Sequence, residues 1–242
     1  MPKPSGNIET SRRALLVWAL SNGLFAAGGC FSAARNAGAQ VLGRGPKPLP
    51  PGQSFYEISG EVKVNGQPAK GDTRVGPNDV VETGKRAQTI FVVGSDAFLL
   101  REDSRLEMKG SNTLVNLLRL VTGAMLSVYG GGARTVASPN AIVGIRGTGL
   151  YVEAEPNLTY VCTCYGETDI ATSDDPGISE RIVSVHHDAP RYVTAKPDKG
   201  RRIIPAPFKN HTDLELTLIE SLVGRVPPFS LFDESYGSPR RY

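Results

Sequence analysis

The chain has 242 residues, of which 40% are hydrophobic and 21% charged, and this composition is typical of a globular protein. The 27 glycines and 18 prolines favour many turns and short strands, and they exclude a helical bundle or a long coiled coil. The formal charge is +3, but the basic excess lies within the first 39 positions and the remainder is neutral. A nucleic-acid partner held by phosphate neutralisation is therefore not expected.

The N-terminal 39 residues are typical of a bacterial export signal. Arg12 and Arg13 precede the apolar run Ala14–Leu20, which is too short to span a membrane. The paired arginines are similar to twin-arginine signals, which direct folded proteins out of the cytoplasm. Small residues at Ala37 and Ala39 predict cleavage after the latter. We therefore expect a periplasmic or otherwise extracytoplasmic protein.

Cys30 offers an alternative fate for this leader. It follows three small residues, as in a lipoprotein site, although the large aliphatic residue usual three positions before the cysteine is missing. Either Cys30 is removed with the leader, or it carries a lipid that tethers the protein. A membrane association is expected only in the second case.

Composition shifts divide the rest of the chain. Residues 40–53 are predicted to be a linker, because their prolines remove backbone donors and fix φ. Residues 54–175 alternate short apolar runs with turn signals and predict a β domain. Within it, Asn65–Gly66 is the strongest hairpin signal, and Gly130–Arg134 is predicted to be a surface turn. Residues 176–232 form an extension, and residues 233–242 a polar tail that is predicted to be disordered.

The extension contains one predicted helix, at about residues 213–223. Thr212 and Glu215 have the spacing of a capping box, and Gly224 supplies a left-handed stop. An apolar stripe at helical spacing is expected to pack on the sheet, and it is formed by Leu214, Leu218, Ile219, Leu222 and Val223.

Short motifs run through the β domain. They are Gly60–Val64, Gly71–Asp72, Asp79–Thr83, Phe98–Ser104, Gly123–Ser127 and, above all, Ala137–Thr148. Together these motifs make the stretch from Glu61 to Asp169 resemble the FecR-type domain of bacterial extracytoplasmic signalling proteins. The resemblance implies an all-β, solenoid-like domain of stacked short strands that acts through protein contacts. The sigma-factor-binding segment and membrane span of well-known members have no counterpart in this sequence, so sigma-factor control is not carried over from the family.

The last of these motifs contains Arg146, Gly147 and Thr148. Glycine permits backbone angles that other residues avoid, and the planar fork of an arginine can donate to several carbonyls. We interpret the three residues as structural, and contact with a partner is the alternative.

Cys162 and Cys164 are two residues apart in a predicted strand, so their side chains point to the same face. Three interpretations stay open: a buried apolar pair, a strained or intermolecular disulfide, or ligands for a soft metal. His186, His187 and His211 lie in the same third of the chain, and one or two of them complete a tetrahedral site with the cysteines if the fold brings them together. Taken singly, each histidine is interpreted more simply as part of a turn or of the helix cap.

No motif for a nucleophile, a phosphate-binding loop or a paired-carboxylate site is found, so the chain is not expected to be an enzyme. The sequence predicts an exported FecR-type binding, scaffold or signalling-accessory protein that contacts an envelope protein and needs no cofactor. The alternative is a metal-binding or thiol-redox protein that uses Cys162 and Cys164 with a nearby histidine and takes copper, zinc or iron. The oligomeric state does not follow from the sequence.

Overall fold

The computed structural model describes residues 46–112 and 114–229, which form fourteen strands and one helix. In chain order the strands are β1 (Phe55–Ser59), β2 (Val62–Val64), β3 (Gln67–Pro68), β4 (Val80–Thr83), β5 (Gln88–Val93), β6 (Asp96–Leu100), β7 (Arg105–Ser111), β8 (Leu114–Val128), β9 (Ala133–Ala137), β10 (Ala141–Ala154), β11 (Leu158–Thr172), β12 (Ser179–Ser184), β13 (Arg191–Asp198) and β14 (Arg201–Pro205). The helix, α1 (Asp213–Leu222), follows β14. The described part is therefore mostly β with a single helix, as the sequence predicts.

These strands form one branched sheet. Its main path runs β14-β13-β11-β10-β9-β8-β7-β4-β2-β3, and all pairings are antiparallel except that between β8 and β9. A branch of β1, β5 and β6 joins the path through β8, and β12 pairs with β11. Long strands allow the branching, because the first half of β8 pairs with β7 and β9 while its second half pairs with β6 and β10.

The outer edge of strand β11 pairs with two different strands and is left unpaired between them. Residues Leu158–Val161 pair with β13, and residues Gly166–Ala171 pair with β12. Between them neither strand reaches the edge. The loop that joins β12 to β13 fills this gap, and His187 N–H donates to the Cys164 carbonyl at 2.9 Å. The gap therefore brings that loop against the only part of β11 that carries cysteines.

Strand alternation buries both faces of the central strands. Phe91, Phe98 and Val161 belong to one apolar cluster, whereas their neighbours Ile90 and Cys162 belong to another. Successive side chains in a strand point to opposite faces, so the two clusters lie on opposite sides of the sheet. We call the second side the helix face, because α1 covers it. Its buried residues include Ile90, Leu99, Leu126, Val128, Tyr151, Cys162 and Cys164 from the sheet and Leu216, Ile219 and Leu222 from α1.

Several strands are longer than the sequence indicates. Glycines are common strand breakers, but Gly123 and Gly144 both lie inside continuous strands, β8 and β10. Gly123 has φ +86° and approaches Ser104 so closely that a Cβ would clash, so it provides a bend rather than a break. The predicted hairpin is present, since Asn65 and Gly66 both have positive φ and connect β2 to β3.

The predicted surface turn Gly130–Arg134 ends in a buried ion pair. Residues 131–133 are exposed, but Arg134 is only 2% exposed and its guanidinium Nε lies 3.0 Å from a carboxylate oxygen of Asp96. The same carboxylate accepts a hydrogen bond from the Gly130 N–H at 2.8 Å. The end of the turn is thus anchored in the protein, because a buried charge requires a partner.

Helix α1 begins as predicted, and its buried face agrees with the predicted stripe except at Leu214. Thr212 is the N-cap and forms the capping box with Glu215, and Gly224 has φ +72° beyond the last turn. Leu216, which the predicted stripe omits, is fully buried, whereas Leu214 is 57% exposed. The stripe was wrong at this position because Leu214 lies in the first turn, on the side facing away from the sheet.

The leader residues Arg12, Arg13, Cys30, Ala37 and Ala39, as well as the tail 233–242, lie outside the described residues. Within residues 46–112 and 114–229, no helix has the length and apolar character needed to cross a membrane.

Candidate metal centre

The two cysteines of β11 lie side by side on the helix face. Both are fully buried, both are free thiols, and they are in the same apolar cluster. The prediction that the side chains of Cys162 and Cys164 share a face is therefore confirmed. Buried thiols in an apolar cluster are also consistent with a buried apolar pair. The side chains around the two thiols therefore decide between an apolar pair and a metal site.

His187 reaches these thiols from the β12–β13 loop. Its backbone has φ +52°, and the Asp188 carboxylate holds the loop by accepting the N–H groups of Val185 and His186 at 2.8 and 3.0 Å. The turn directs the His187 ring inward, where it is 3% exposed. His187 Nδ1 lies 3.5 Å from Cys162 Sγ.

His211 arrives from the segment just before α1. Its Nε2 lies 3.5 Å from Cys164 Sγ and 3.1 Å from His187 Nδ1. The ring stacks on Tyr151, with centroids 4.4 Å apart, and is 3% exposed. Four donor atoms, two sulfurs and two nitrogens, thus lie within 4.8 Å of one another. We call Cys162, Cys164, His187 and His211 the Cys2His2 cluster.

Each histidine of the cluster is oriented by a second hydrogen bond. His187 Nε2 lies 3.1 Å from the Asp213 carboxylate, and His211 Nδ1 lies 2.8 Å from the Lys209 carbonyl. Both acceptors hold a proton on the far nitrogen, so in their neutral form His187 and His211 can offer the lone pairs of Nδ1 and Nε2 to a metal ion. Metal-binding histidines commonly have such outer partners.

The charges of the cluster are unevenly distributed. Burial raises the pKa of the Cys162 thiol, but hydrogen bonds with Cys164, His187 and His211 outweigh burial and hold that pKa well below its ordinary value. Burial and the neighbouring Cys162 sulfur raise the pKa of Cys164 well above the ordinary value. Burial lowers the pKa of His187, but Asp213 and Cys162 overcome burial and raise it to about 9. These shifts favour the thiolate at Cys162, the protonated thiol at Cys164 and the imidazolium at His187.

Four of the five predicted metal ligands form the cluster, and the fifth lies beside it. It brings Cys162, Cys164, His187 and His211 together, and places His186 beside them, with its Nε2 2.9 Å from the Asp213 carboxylate. Asp213 was missed by the sequence analysis, because an acidic residue in the first turn of a helix is explained by the helix dipole alone. His211 and Asp213 flank the N-cap, and that adjacency is the signal that could have revealed it.

The Arg146 motif is separate from this cluster. Thr148, not Arg146, makes the hydrogen bonds, since its hydroxyl lies 2.9 Å from the Arg146 carbonyl and 3.0 Å from that of Glu167. The Arg146 side chain is exposed, and Gly147 has φ +55° at an irregularity between β10 and β11. A structural role thus falls to Gly147 and Thr148, and contact between Arg146 and a partner stays a prediction.

Comparisons with known proteins give little about function. No family model matches the sequence, and no curated protein matches it, so the FecR-type resemblance stays a prediction. Two crystal structures of a protein from Parabacteroides distasonis ATCC 8503, titled a "putative anti-sigma factor", are similar, each with 12% identity and a TM-score of 0.42. Each match covers 52% of this chain and 58% of the other, so the chain spans little more than half of those proteins. A likeness of this extent does not identify a function or a partner.

Proposed function

We propose that this protein binds one zinc ion through the Cys2His2 cluster. The observation that carries the proposal is the spacing of the donor atoms: two S···N distances of 3.5 Å and an N···N distance of 3.1 Å. Tetrahedral zinc with ordinary Zn–S and Zn–N bonds places sulfur and nitrogen about 3.6 Å apart and two nitrogens about 3.4 Å apart. These three distances therefore lie close to those of a tetrahedral zinc site, and all four donor atoms lie within 4.8 Å of one another.

The donor set favours zinc among the metals that thiolates bind. Two sulfurs and two imidazole nitrogens in a tetrahedral arrangement suit zinc, whereas copper(II) favours flatter sites. The aromatic rings of Tyr151 and Phe208 pack on His211 and supply the apolar surroundings. The outer carboxylate of Asp213 and the carbonyl of Lys209 complete the second layer.

The proposed role is structural rather than catalytic. Catalytic zinc sites keep a position open for water or substrate, whereas four protein ligands close the coordination sphere. All four residues of the cluster are buried, at 3% exposure or less. We therefore propose that the protein is not an enzyme at this site.

Metal analysis of the purified protein tests the proposal. After reconstitution and desalting, we expect one zinc per chain, and cobalt(II) should give the intense visible absorption of a tetrahedral thiolate complex. The double variant Cys162→Ser with Cys164→Ser should lose both signals. Thr163→Ser is the matched control, since Thr163 lies between the cysteines on the opposite face, where its hydroxyl contacts Thr168. A zinc content near zero in the wild-type protein, or equal binding by the double variant, would refute a Cys2His2 site.

A second candidate concerns where the protein acts. The leader with Arg12 and Arg13 and the motifs between Glu61 and Asp169 favour an exported binding or signalling-accessory protein of the cell envelope, with an envelope protein as partner. Intact mass of protein isolated from the native envelope tests export. A mass beginning after Ala39 supports cleavage and a lipid on Cys30 supports tethering, whereas an intact leader on cytoplasmic protein contradicts both.

A further inference from the structure

We propose that the metal ion controls whether the C-terminal segment, residues 206–229, stays docked on the helix face of the sheet. This inference rests on the proposed function, because it assigns a consequence to zinc binding at the same cluster. In the metal-bound protein the segment stays docked on the helix face. Loss of the metal releases α1 from the sheet, and the sheet itself remains folded.

The origin of the ligands supports this coupling. Cys162 and Cys164 belong to β11 inside the sheet, whereas His211 belongs to the segment that carries α1. His187 comes from the loop that fills the gap at the edge of β11. A single ion bound to all four residues therefore joins the segment to the sheet by direct coordination bonds.

The connection continues into the first turn of the helix. His211, Thr212 and Asp213 are consecutive, and they are respectively a ligand, the N-cap and the outer partner of His187. No flexible spacer separates the metal from α1. Displacement of His211 therefore moves the N-cap and withdraws the carboxylate that orients His187.

The other contacts of α1 are concentrated at its two ends. Near its start, Arg101 lies 2.8 Å from the Glu215 carboxylate and 2.9 Å from the Asn210 carbonyl. Near its end, Glu220 accepts a hydrogen bond from the Tyr165 hydroxyl of β11. Arg225, which follows the helix and pairs with Glu220, donates to the Ser95 carbonyl at 2.7 Å. Between them, three apolar side chains cover the sheet: Leu216, Ile219 and Leu222. These contacts hold a helix of only ten residues, which is too short to be stable in water by itself.

The sheet depends much less on the cluster. Its central strands β8 and β10 are paired along their length and are buried on the opposite face by an apolar cluster to which α1 does not contribute. Removal of the metal therefore weakens one side of the sheet only. The expected result is local opening, in which Ile90, Leu99 and Leu126 lose their cover.

Hydrogen exchange of the full chain tests the inference, with zinc content measured in the same samples. In the wild-type protein, removal of zinc by a chelator should accelerate exchange of the α1 amides on the order of tenfold or more, while amides of β8 and β10 stay protected. His211→Asn should show fast α1 exchange even with zinc present. Thr163→Ser is the matched control, because it keeps all four ligands and its hydroxyl contacts Thr168 on the opposite face of β11, and it should respond to zinc as the wild type does.

The outcomes separate this inference from the proposed function. One zinc per chain with α1 exchange independent of the metal overturns the coupling and leaves the zinc site standing. Loss of protection throughout β8 and β10 on zinc removal also overturns it, since the metal would then be needed for the whole fold. Zinc absent from the wild-type protein removes the proposed function and the coupling together.

Discussion

The protonation state of the Cys2His2 cluster determines which protons zinc must displace when it binds. The lowered pKa of Cys162 favours its thiolate, whereas near neutral pH Cys164 keeps its proton because its pKa is raised and His187 carries a charge because its pKa is about 9. Zinc binds thiolates and neutral imidazole, so binding removes one proton from Cys164 and one from His187. Zinc affinity therefore rises with pH, because both protons leave more easily as pH increases.

Calorimetry can count these protons. At about pH 7, titration with zinc in buffers of different ionisation enthalpy should show about two protons released per ion. Above the His187 pKa of about 9, the number should fall towards one, because His187 is then already neutral. A release that stays near zero at neutral pH would contradict the assigned states of Cys164 and His187.

Asp213 provides a second test at the scale of single residues. Its carboxylate contacts both His187 and His186, and those contacts keep its pKa below the ordinary value despite partial burial. Asp213→Asn should weaken zinc binding by about 10- to 100-fold, as for other outer-layer partners of metal-bound histidines. The control is Asp174→Asn, an exposed carboxylate paired with Arg202. Competition with a zinc chelator measures both, and equal affinities would exclude an orienting role.

The buried pair of Arg134 and Asp96 predicts a stability effect unrelated to metal. Arg134→Met leaves the Asp96 carboxylate buried without its cation, which typically costs about 3–5 kcal/mol. Urea unfolding should show the loss. Lys63→Met is the control, because Lys63 and its partner Glu61 are exposed, and its midpoint should stay unchanged. Similar urea midpoints for both variants would show that the Asp96 carboxylate is not buried as the structure indicates.

At the scale of elements, the N-cap of α1 can be separated from the metal ligands. Thr212→Ala removes the side chain that accepts the Glu215 N–H, and loss of a cap typically costs about 1 kcal/mol. The ligand His211 is retained, so zinc content should not change. Thr217→Ala is the matched control, since its hydroxyl only contacts the Asp213 carbonyl within the helix. Urea unfolding of the zinc-loaded proteins should separate the two variants, and equal stabilities would contradict the capping role.

The sequence predicted correctly those features that depend on residues close together in the chain. The capping box, the Asn65–Gly66 turn and the shared face of the two cysteines each follow from spacing within a few residues. Strand length did not follow, because a glycine such as Gly144 ends a strand or continues in it depending on its distant partners. The stripe of α1 was right except that Leu216 is buried and Leu214 is exposed, since the sheet and not the helix decides which leucine is covered.

At the scale of the whole molecule, metal binding should stabilise the fold measurably. Zinc at about a hundred times its dissociation constant adds about 2.7 kcal/mol, and a chain of this size gains about 2–4 °C in Tm per kcal/mol. We therefore expect Tm to rise by about 5–11 °C. The double variant Cys162→Ser with Cys164→Ser should show no rise, and a rise in it would place the bound zinc elsewhere.

The assembled site was only partly accessible from the sequence. The residue types of the cluster were all identified as candidates, but choosing His187 over His186 required the loop that fills the gap in β11. The strands after residue 176 join the same sheet as those before it, so the predicted extension is not structurally separate in the described part. Contacts between residues about 25 and 50 positions apart define the site, and no local pattern encodes them.

The order of the donors along the chain has a consequence for biosynthesis. Cys162 and Cys164 emerge from the ribosome first, His187 follows, and His211 appears only after all the described strands have been made. A nascent chain therefore cannot capture zinc with full affinity until the last strand of the sheet is available. Metal loading thus distinguishes chains that extend past His211 from chains that end before it.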